Sequence, residues 1–407
     1  MSIIKINNGK TIINPENILD IVTNKLITGK SVVINNGSIE KLIPARKVRN
    51  KYGAMAKIVD LPGLTLLPGL IDCHVHFALD GRSFKESINR WQELVRMEKK
   101  LKKELRRYLK YGIIAVRDGG DKAQVGFKAQ RLSFIKNIQS PIVHSSGFAI
   151  RRTGYYGSFL GEGIKNCDNI EKIINQLAIK GVKQIKILAS GIVSFKEYKK
   201  VGSLQFSLSE MERVVKEAKR IGLKVMVHAS SDEAVKISSL AGVDSIEHGY
   251  FLEDSTLQIM ADRKIFWIPT VVPVYNQTVL PCKTNFTDEQ ISVISKTYNS
   301  QLKKIKKAKE LGVNLAVGTD AGAAGVLHGK SFYKELELYQ KAGLSNMEIL
   351  KAATAQGSRL LGLDDKIGCI SEGKLPFFIA VSGNPAQELS LLRKPEEVII
   401  PEIYNCN

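Results

Sequence analysis

Over the first 65 residues apolar and polar positions alternate in short runs, broken by the turn triplets Asn7-Asn8-Gly9 and Asn35-Asn36-Gly37. A period of two between Asn-Gly turns is the pattern of half-buried strands, so this segment reads as β-rich. From Leu66 the period changes. A short apolar run is followed by a longer stretch with apolar residues at helical spacing, and the pair repeats, which is the mark of βαβ units around a parallel sheet. Eight such runs are visible: Thr65–His76, Ile113–Arg117, Pro141–Ser145, Gln184–Ala189, Lys224–Ala229, Ser245–His248, Ile265–Thr270 and Asn314–Asp320. The helix before the fifth run shows a capping box at Ser209-x-x-Glu212 and a stop at Gly222, after Ile221. Two helical stretches, Ser331–Lys341 and Ser345–Leu361, follow the eighth run, and a β-like tail runs from Gly368 to Val381. The expected architecture is α/β: a (β/α)8 TIM barrel over residues 66–365, with a small β-sandwich domain assembled from both chain ends, residues 1–65 and 366–407.

The 407 residues leave room for both parts, since a barrel of this kind takes roughly 250–300. With 44% hydrophobic and 25% charged residues, the composition excludes disordered and fibrous classes. The first residues contain no long apolar core, and no stretch of about 18 apolar residues occurs, so a cytoplasmic protein without a membrane partner is expected. Five cysteines (Cys73, Cys167, Cys282, Cys369, Cys406) lie far apart with no Cys-x-x-Cys pair, which suits reduced thiols. The net charge of +20 changes the picture little. Its densest run, Arg96–Lys110, carries Leu101, Leu105 and Leu109 at helical spacing, so the charges fall on a solvated helix face. No nucleic-acid motif accompanies them, and no nucleic-acid partner is expected; homo-oligomerisation is left open.

Barrels of this type place their chemistry at the C-terminal ends of the strands. Those ends carry a consistent set here: His74 and His76 in the first run, Lys186 in the fourth, His228 in the fifth, His248 in the sixth and Asp320 in the eighth. Four of the six histidines stand at these positions. Residues i and i+2 of a strand share a face, so His74 and His76, about 6.6 Å apart along the backbone, can converge on one ion. A single buried His at a strand end is commonly a hydrogen-bonded core residue, and a single Asp commonly a helix cap. Six together point to metal binding. Imidazole and carboxylate ligands suit several divalent ions, with zinc the leading candidate.

Lys186 is the most informative member. A protonated lysine among Ile185, Ile187 and Leu188 meets a large desolvation penalty and repels neighbouring metals. Carboxylated by CO2, the same amine becomes an anion with two oxygens able to bridge two ions. The alternative is a lysine that snorkels toward the strand end.

The set Pro68-Gly69-Leu70-Ile71-Asp72-x-His74-x-His76, Ile185-Lys186-Ile187-Leu188-Ala189-Ser190-Gly191, His228-Ala229, Ser245-Ile246-Glu247-His248-Gly249 and Gly318-Thr319-Asp320-Ala321-Gly322 resembles the amidohydrolase superfamily. It is most similar to the branch of imidazolonepropionase-like enzymes and metal-dependent prolidases (Xaa-Pro dipeptidases). The likeness extends from the β segment before the barrel to Glu372-Gly373-Lys374-Leu375. The resemblance implies a binuclear centre with His74, His76 and Asp320 on the more buried metal, His228 and His248 on the more exposed one, and carboxylated Lys186 between them. It also implies hydrolysis of an amide (a peptide, an N-acyl amino acid or a cyclic amide), with Asp320 as the catalytic proton carrier and a small molecule as substrate.

The chain departs from the prolidase pattern where substrate is read. Gly154-Tyr155-Tyr156-Gly157 replaces a Gly-Gly-His-Gly run, and Ser230-Ser231 follows His228-Ala229, both of which argue against a Pro-dipeptide. Arg151, Arg152, Tyr155 and Tyr156, on a loop expected at the barrel mouth, are candidates for contacting substrate, with His328 beyond the eighth strand. Paired arginines can grip a carboxylate or simply be a solvated loop. His144, inside the third run, reads as structural. A mononuclear deaminase or imidazolonepropionase-like cyclic amide hydrolase is the alternative enzyme, and Lys186 argues against it; a non-catalytic scaffold need not keep all six positions.

Overall fold

The computed structural model describes residues 2–53, 55–135 and 138–402. Cys406 and the rest of 403–407 lie outside them, as does Met1. We label eight parallel strands β1 (Leu70–Val75), β2 (Ile113–Asp118), β3 (Ile142–Ser145), β4 (Gln184–Leu188), β5 (Lys224–Ala229), β6 (Ser245–His248), β7 (Phe266–Ile268) and β8 (Asn314–Leu315). They form two parallel arrays, β1-β2-β3 and β4 through β8 in order, the second extended at β4 by Ala149–Arg152 and Gly163–Ile164. Their residues are almost wholly buried because helices cover them, which explains the continuous Val, Ile and Leu runs. Hydrogen bonds join the arrays at both edges. Lys183 N donates to Ser145 O at 3.0 Å, Cys73 N to Val317 O at 2.8 Å, and Asp320 N to His74 O at 2.7 Å.

The covering helices are amphipathic. In Leu94–Lys110, Leu101, Leu105 and Leu109 are fully buried, with the lysines and arginines mostly facing out. The capping box of the helix before β5 lies two residues upstream of the sequence expectation. Ser207 caps Leu208–Arg220, Glu210 closes the box, and Ser209 is already helical. Ser207 is the residue with extended backbone (ψ 167°), and Glu210 also holds Arg152.

Strands from both ends of the chain share one eight-stranded sheet, ordered Ser2–Ile6, Glu397–Pro401, Phe378–Ser382, Lys57–Pro68, Thr11–Asp20, Lys30–Asn35, Ser38–Pro44, with Lys25–Thr28 also on Thr11–Asp20. Alternation divides its residues between two cores. Leu66, Phe378 and Ile399 face the sheet's own core, while Leu67, Ile379, Val398 and Ile400 pack into the main one. The four described cysteines are free thiols, and no described helix is long and apolar enough to cross a membrane.

Candidate metal centre

The C-terminal ends of β1, β4, β5, β6 and β8 bring His74, His76, Lys186, His228, His248 and Asp320 to the floor of one cavity of about 410 Å³. Small residues make the room: a Cβ on Gly119 would stand 2.7 Å from His76 Cε1, and one on Gly318 2.9 Å from His74 Cβ. The backbone is strained where ligand-type side chains turn inward. His248, Thr270 and Asp320 have φ of 73°, 48° and 55°, a region that costs a non-glycine residue about 1–3 kcal/mol and that recurs at functional sites. Buried carboxylates hold the flanking backbone. Asp72 accepts from Thr319 N, Thr319 Oγ1 and His74 N, and Glu335 accepts from Val271 N and Val272 N.

Hydrogen-bond partners dictate each histidine's tautomer. His76 Nδ1 faces the carbonyl of Gly120 at 3.2 Å, and a carbonyl can only accept, so Nδ1 carries the proton. His74 Nδ1 donates to the Glu247 carboxylate at 2.8 Å. Thr270 gives its hydroxyl proton to Pro269 O and so accepts from His248 Nδ1 at 2.6 Å. His228 instead donates Nε2–H to Gly191 O at 3.2 Å. Each ring therefore keeps one bare nitrogen. Burial, reinforced by mutual proximity and by Lys186, keeps all four rings neutral: it takes His76 and His228 down to about 3 and His74 and His248 well below the ordinary histidine range.

The bare Nε2 atoms of His74 and His76 face each other at 3.3 Å, with Asp320 Oδ1 at 3.6 and 3.4 Å from them. Two lone pairs and a carboxylate oxygen in contact repel unless a cation lies among them, and ligand atoms of these three residues all fall within 4.8 Å of one another. His228 and His248 form the other side, their ring centroids 4.6 Å apart and His248 5.1 Å from His74. Lys186 Nζ, in a side chain 1% exposed, has no hydrogen-bond partner among the described residues. Burial lowers the pKa of that amine and raises that of Asp320, pushing both toward their neutral forms.

Behind His74 lies a buried pair absent from the sequence reading. Glu247 accepts from Arg117 Nη2 at 2.7 Å and from Ser245 Oγ at 2.6 Å, while Arg117 also donates to Cys73 O. Arg117 is the lone charge in the second apolar run before Asp118, and Glu247 adjoins His248; these were the available signals.

Of the expected substrate contacts, only Tyr156 lines the cavity, 5.5 Å from the His228 ring. The others are turned to structural work. Arg151 donates to the carbonyls of Gly161, Arg152 and Tyr155, and Arg152 to those of Gln205 and Lys165 and to Glu210. Tyr155 points outward, 45% exposed. His328 is buried between Tyr108 Oη and the Leu79 carbonyl. His144 is buried within β3 and does not line the cavity.

A family model described as the amidohydrolase family matches residues 65–402. The chain is similar to the ochratoxinase of Aspergillus niger, with 25% identity over 365 residues, 82% of this chain and 73% of the relative. It is also similar to the imidazolonepropionase of Clostridium tetani, with 23% identity over 385 residues, 86% of this chain and 83% of the relative. Among solved structures it resembles a Xaa-Pro dipeptidase with methionine bound in the active site, at a TM-score of 0.81 and 26% identity over 96% of this chain and 98% of that one.

Proposed function

Since this chain belongs to the amidohydrolase family, in the branch that holds imidazolonepropionases and Xaa-Pro dipeptidases, it is a hydrolase acting on carbon–nitrogen bonds, and we propose that it cleaves an amide at a binuclear centre. The family generally uses divalent metal ions. The observation that carries the proposal is the facing pair of unprotonated nitrogens on His74 and His76 beside Asp320, with the unpartnered amine of Lys186 in the same cavity. These residues fit a metal pair, zinc first among candidates: His74, His76 and Asp320 would hold one ion, His228 and His248 the other. Lys186 would bridge as a carbamate, its neutral amine adding to CO2 with release of one proton. We also propose that the eight strands close as a (β/α)8 barrel over about 66–365, with the terminal segments as its β-sandwich partner; Lys57–Pro68 crosses the boundary between them.

When bound, such a pair would supply Lewis acidity and a water whose pKa is lowered toward about 7. The chain's own residues do the rest. Asp320 takes the proton of the attacking water and gives it to the leaving nitrogen as the C–N bond breaks, so that amide and water become acid and amine. Glu247 and Arg117 fix the His74 ring so that Nε2 stays bare. Tyr156 and Tyr250, against His228 and His248, keep bulk water from the floor.

The test is a metal count per chain by elemental analysis after loading in bicarbonate. Two are expected for the wild type and one for Lys186→Ala, which loses most activity and regains part of it with added acetate or propionate. Lys186→Arg is not rescued, because guanidinium cannot become an anion. One metal in the wild type would overturn the bridge and favour the mononuclear reading.

A further inference from the structure

The lining of the cavity has a chemistry of its own. From the mouth, Phe84 (55% exposed) meets Phe159 edge to face at 5.0 Å, Phe159 meets Tyr156 at 6.0 Å, and Tyr156 reaches His228 at 5.5 Å. An aromatic wall thus runs unbroken from solvent to the metal-type cluster. The lining continues with Phe195 against Phe286, 5.6 Å apart, and with Ile192, left 53% exposed. Exposed apolar side chains at a cavity mouth are costly without an apolar occupant.

Charge is scarce in it. Among the described residues, Asp320 is the only carboxylate that lines the cavity, and Arg82 the only cation besides Lys186. Arg82 stands on a braced loop: Gly81 N donates to Gly322 O and Gly325 N to Gly81 O. Its neighbour Asp80 is occupied by the backbone N–H groups of Arg82 and Ser83 and by the Arg90 guanidinium. The Arg82 guanidinium has no ion-pair partner among the described residues and is presented at the rim.

We infer that the substrate is an N-acylated amino acid whose acyl group is aromatic or bulky and apolar and whose free carboxylate meets Arg82, rather than a zwitterionic dipeptide. The inference rests on the amide-hydrolase reading above. An aryl group finds the wall from Phe84 to Tyr156, and a carboxylate finds Arg82. A dipeptide's ammonium finds no acid except Asp320, which is already committed to the cluster.

Two measurements separate this inference from the reading beneath it. The metal-loaded enzyme is assayed on N-(2-naphthoyl)glycine, its primary amide, N-acetylglycine and glycyl-leucine. Binding of N-(2-naphthoyl)glycine to metal-stripped protein is followed separately by naphthyl fluorescence. We expect N-(2-naphthoyl)glycine to be the best substrate and to bind the stripped protein. Arg82→Gln, at an exposed site, should raise its KM and Kd about tenfold, the worth of one charge-assisted contact, and leave kcat and the primary amide unchanged. Phe159→Ala should weaken the naphthoyl compound and spare N-acetylglycine. Preferred hydrolysis of glycyl-leucine would overturn the inference and keep the hydrolase, as would an Arg82→Gln effect that is absent or equal on acid and amide. Tight, Arg82-dependent binding with no turnover of any compound would keep the ligand class assigned to the cavity and overturn the proposed amide cleavage.

Discussion

His74 stands at the end of β1 on a pair from the buried frame, Glu247 and Arg117, while His76 leans on the Gly120 carbonyl just past β2. His228 and His248 sit across the cavity on groups that follow a strand end, the carbonyl of Gly191 after β4 and the hydroxyl of Thr270 after β7. The first pair, with Asp320, already has its ligand atoms gathered, whereas the second would be completed only by the bridging Lys186 that we propose. The lesson is that the two halves of such a centre need not share one degree of preorganisation. In one half a ring is fixed from within the strand array, and in the other both rings lean on groups just past strand ends, with Lys186 as the proposed link.

Breaking the proposed proton carrier of the first half should have the largest effect. Asp320→Asn keeps size and most packing but removes the carboxylate we propose as proton carrier, so kcat should fall at least about 100-fold with KM little changed, because that proton would move in the transition state. Steady-state kinetics decide it, and a near-normal kcat would take Asp320 out of the mechanism. Glu247→Gln attacks the frame behind the first half. It leaves His74 free to adopt the other tautomer, and competition with a chromogenic chelator should show roughly 10- to 100-fold weaker binding of the tighter metal. Unchanged affinity would mean the frame is not what orients His74. Thr270→Val touches only the second half and removes one neutral hydroxyl, worth about 1 kcal/mol. The weaker metal should loosen about fivefold while the tighter one is unaffected. Equal losses of both metals would erase the distinction between the halves.

Much of the frame is legible in the sequence because it follows from periodicity alone. The fifth and sixth apolar runs, Lys224–Ala229 and Ser245–His248, coincide with β5 and β6. The eighth does not. Only Asn314–Leu315 pairs as a strand, since the segment after it packs on His74 through Gly318 and turns at Asp320. The stretch Ser345–Leu361 is two helices, Asn346–Ala352 and Ala355–Leu361, parted at Thr354, whose φ and ψ of −133° and −87° are not helical. In the site, the six ligand-type residues are recognisable because strand ends are fixed by local pattern. Glu247 is not, because strict alternation would set it opposite His248. At φ 73° His248 leaves strand geometry, and both residues come to lie beside His74. The roles of Arg151 and Arg152 depend on the path of the loop through Gly161 and Lys165, which no periodicity encodes. Phe84 and Phe159 escape for the same reason.

The sheet formed by both chain ends also bears on how the molecule is made. Ser2–Ile6 pairs in parallel with Glu397–Pro401, Ser2 opposite Glu397 and Ile6 opposite Pro401. Ser2–Ile6 therefore leaves the ribosome long before the strand it pairs with. At about 5–20 residues per second, translation of the intervening chain takes on the order of tens of seconds. During that time Lys57–Pro68 lacks Phe378–Ser382, its antiparallel neighbour, and exposes Leu66 and Leu67. Newly made chains should accordingly depend on chaperones until Glu397–Pro401 has been made, and stalling translation before Phe378 should leave a nascent chain that proteases cut within residues 2–68.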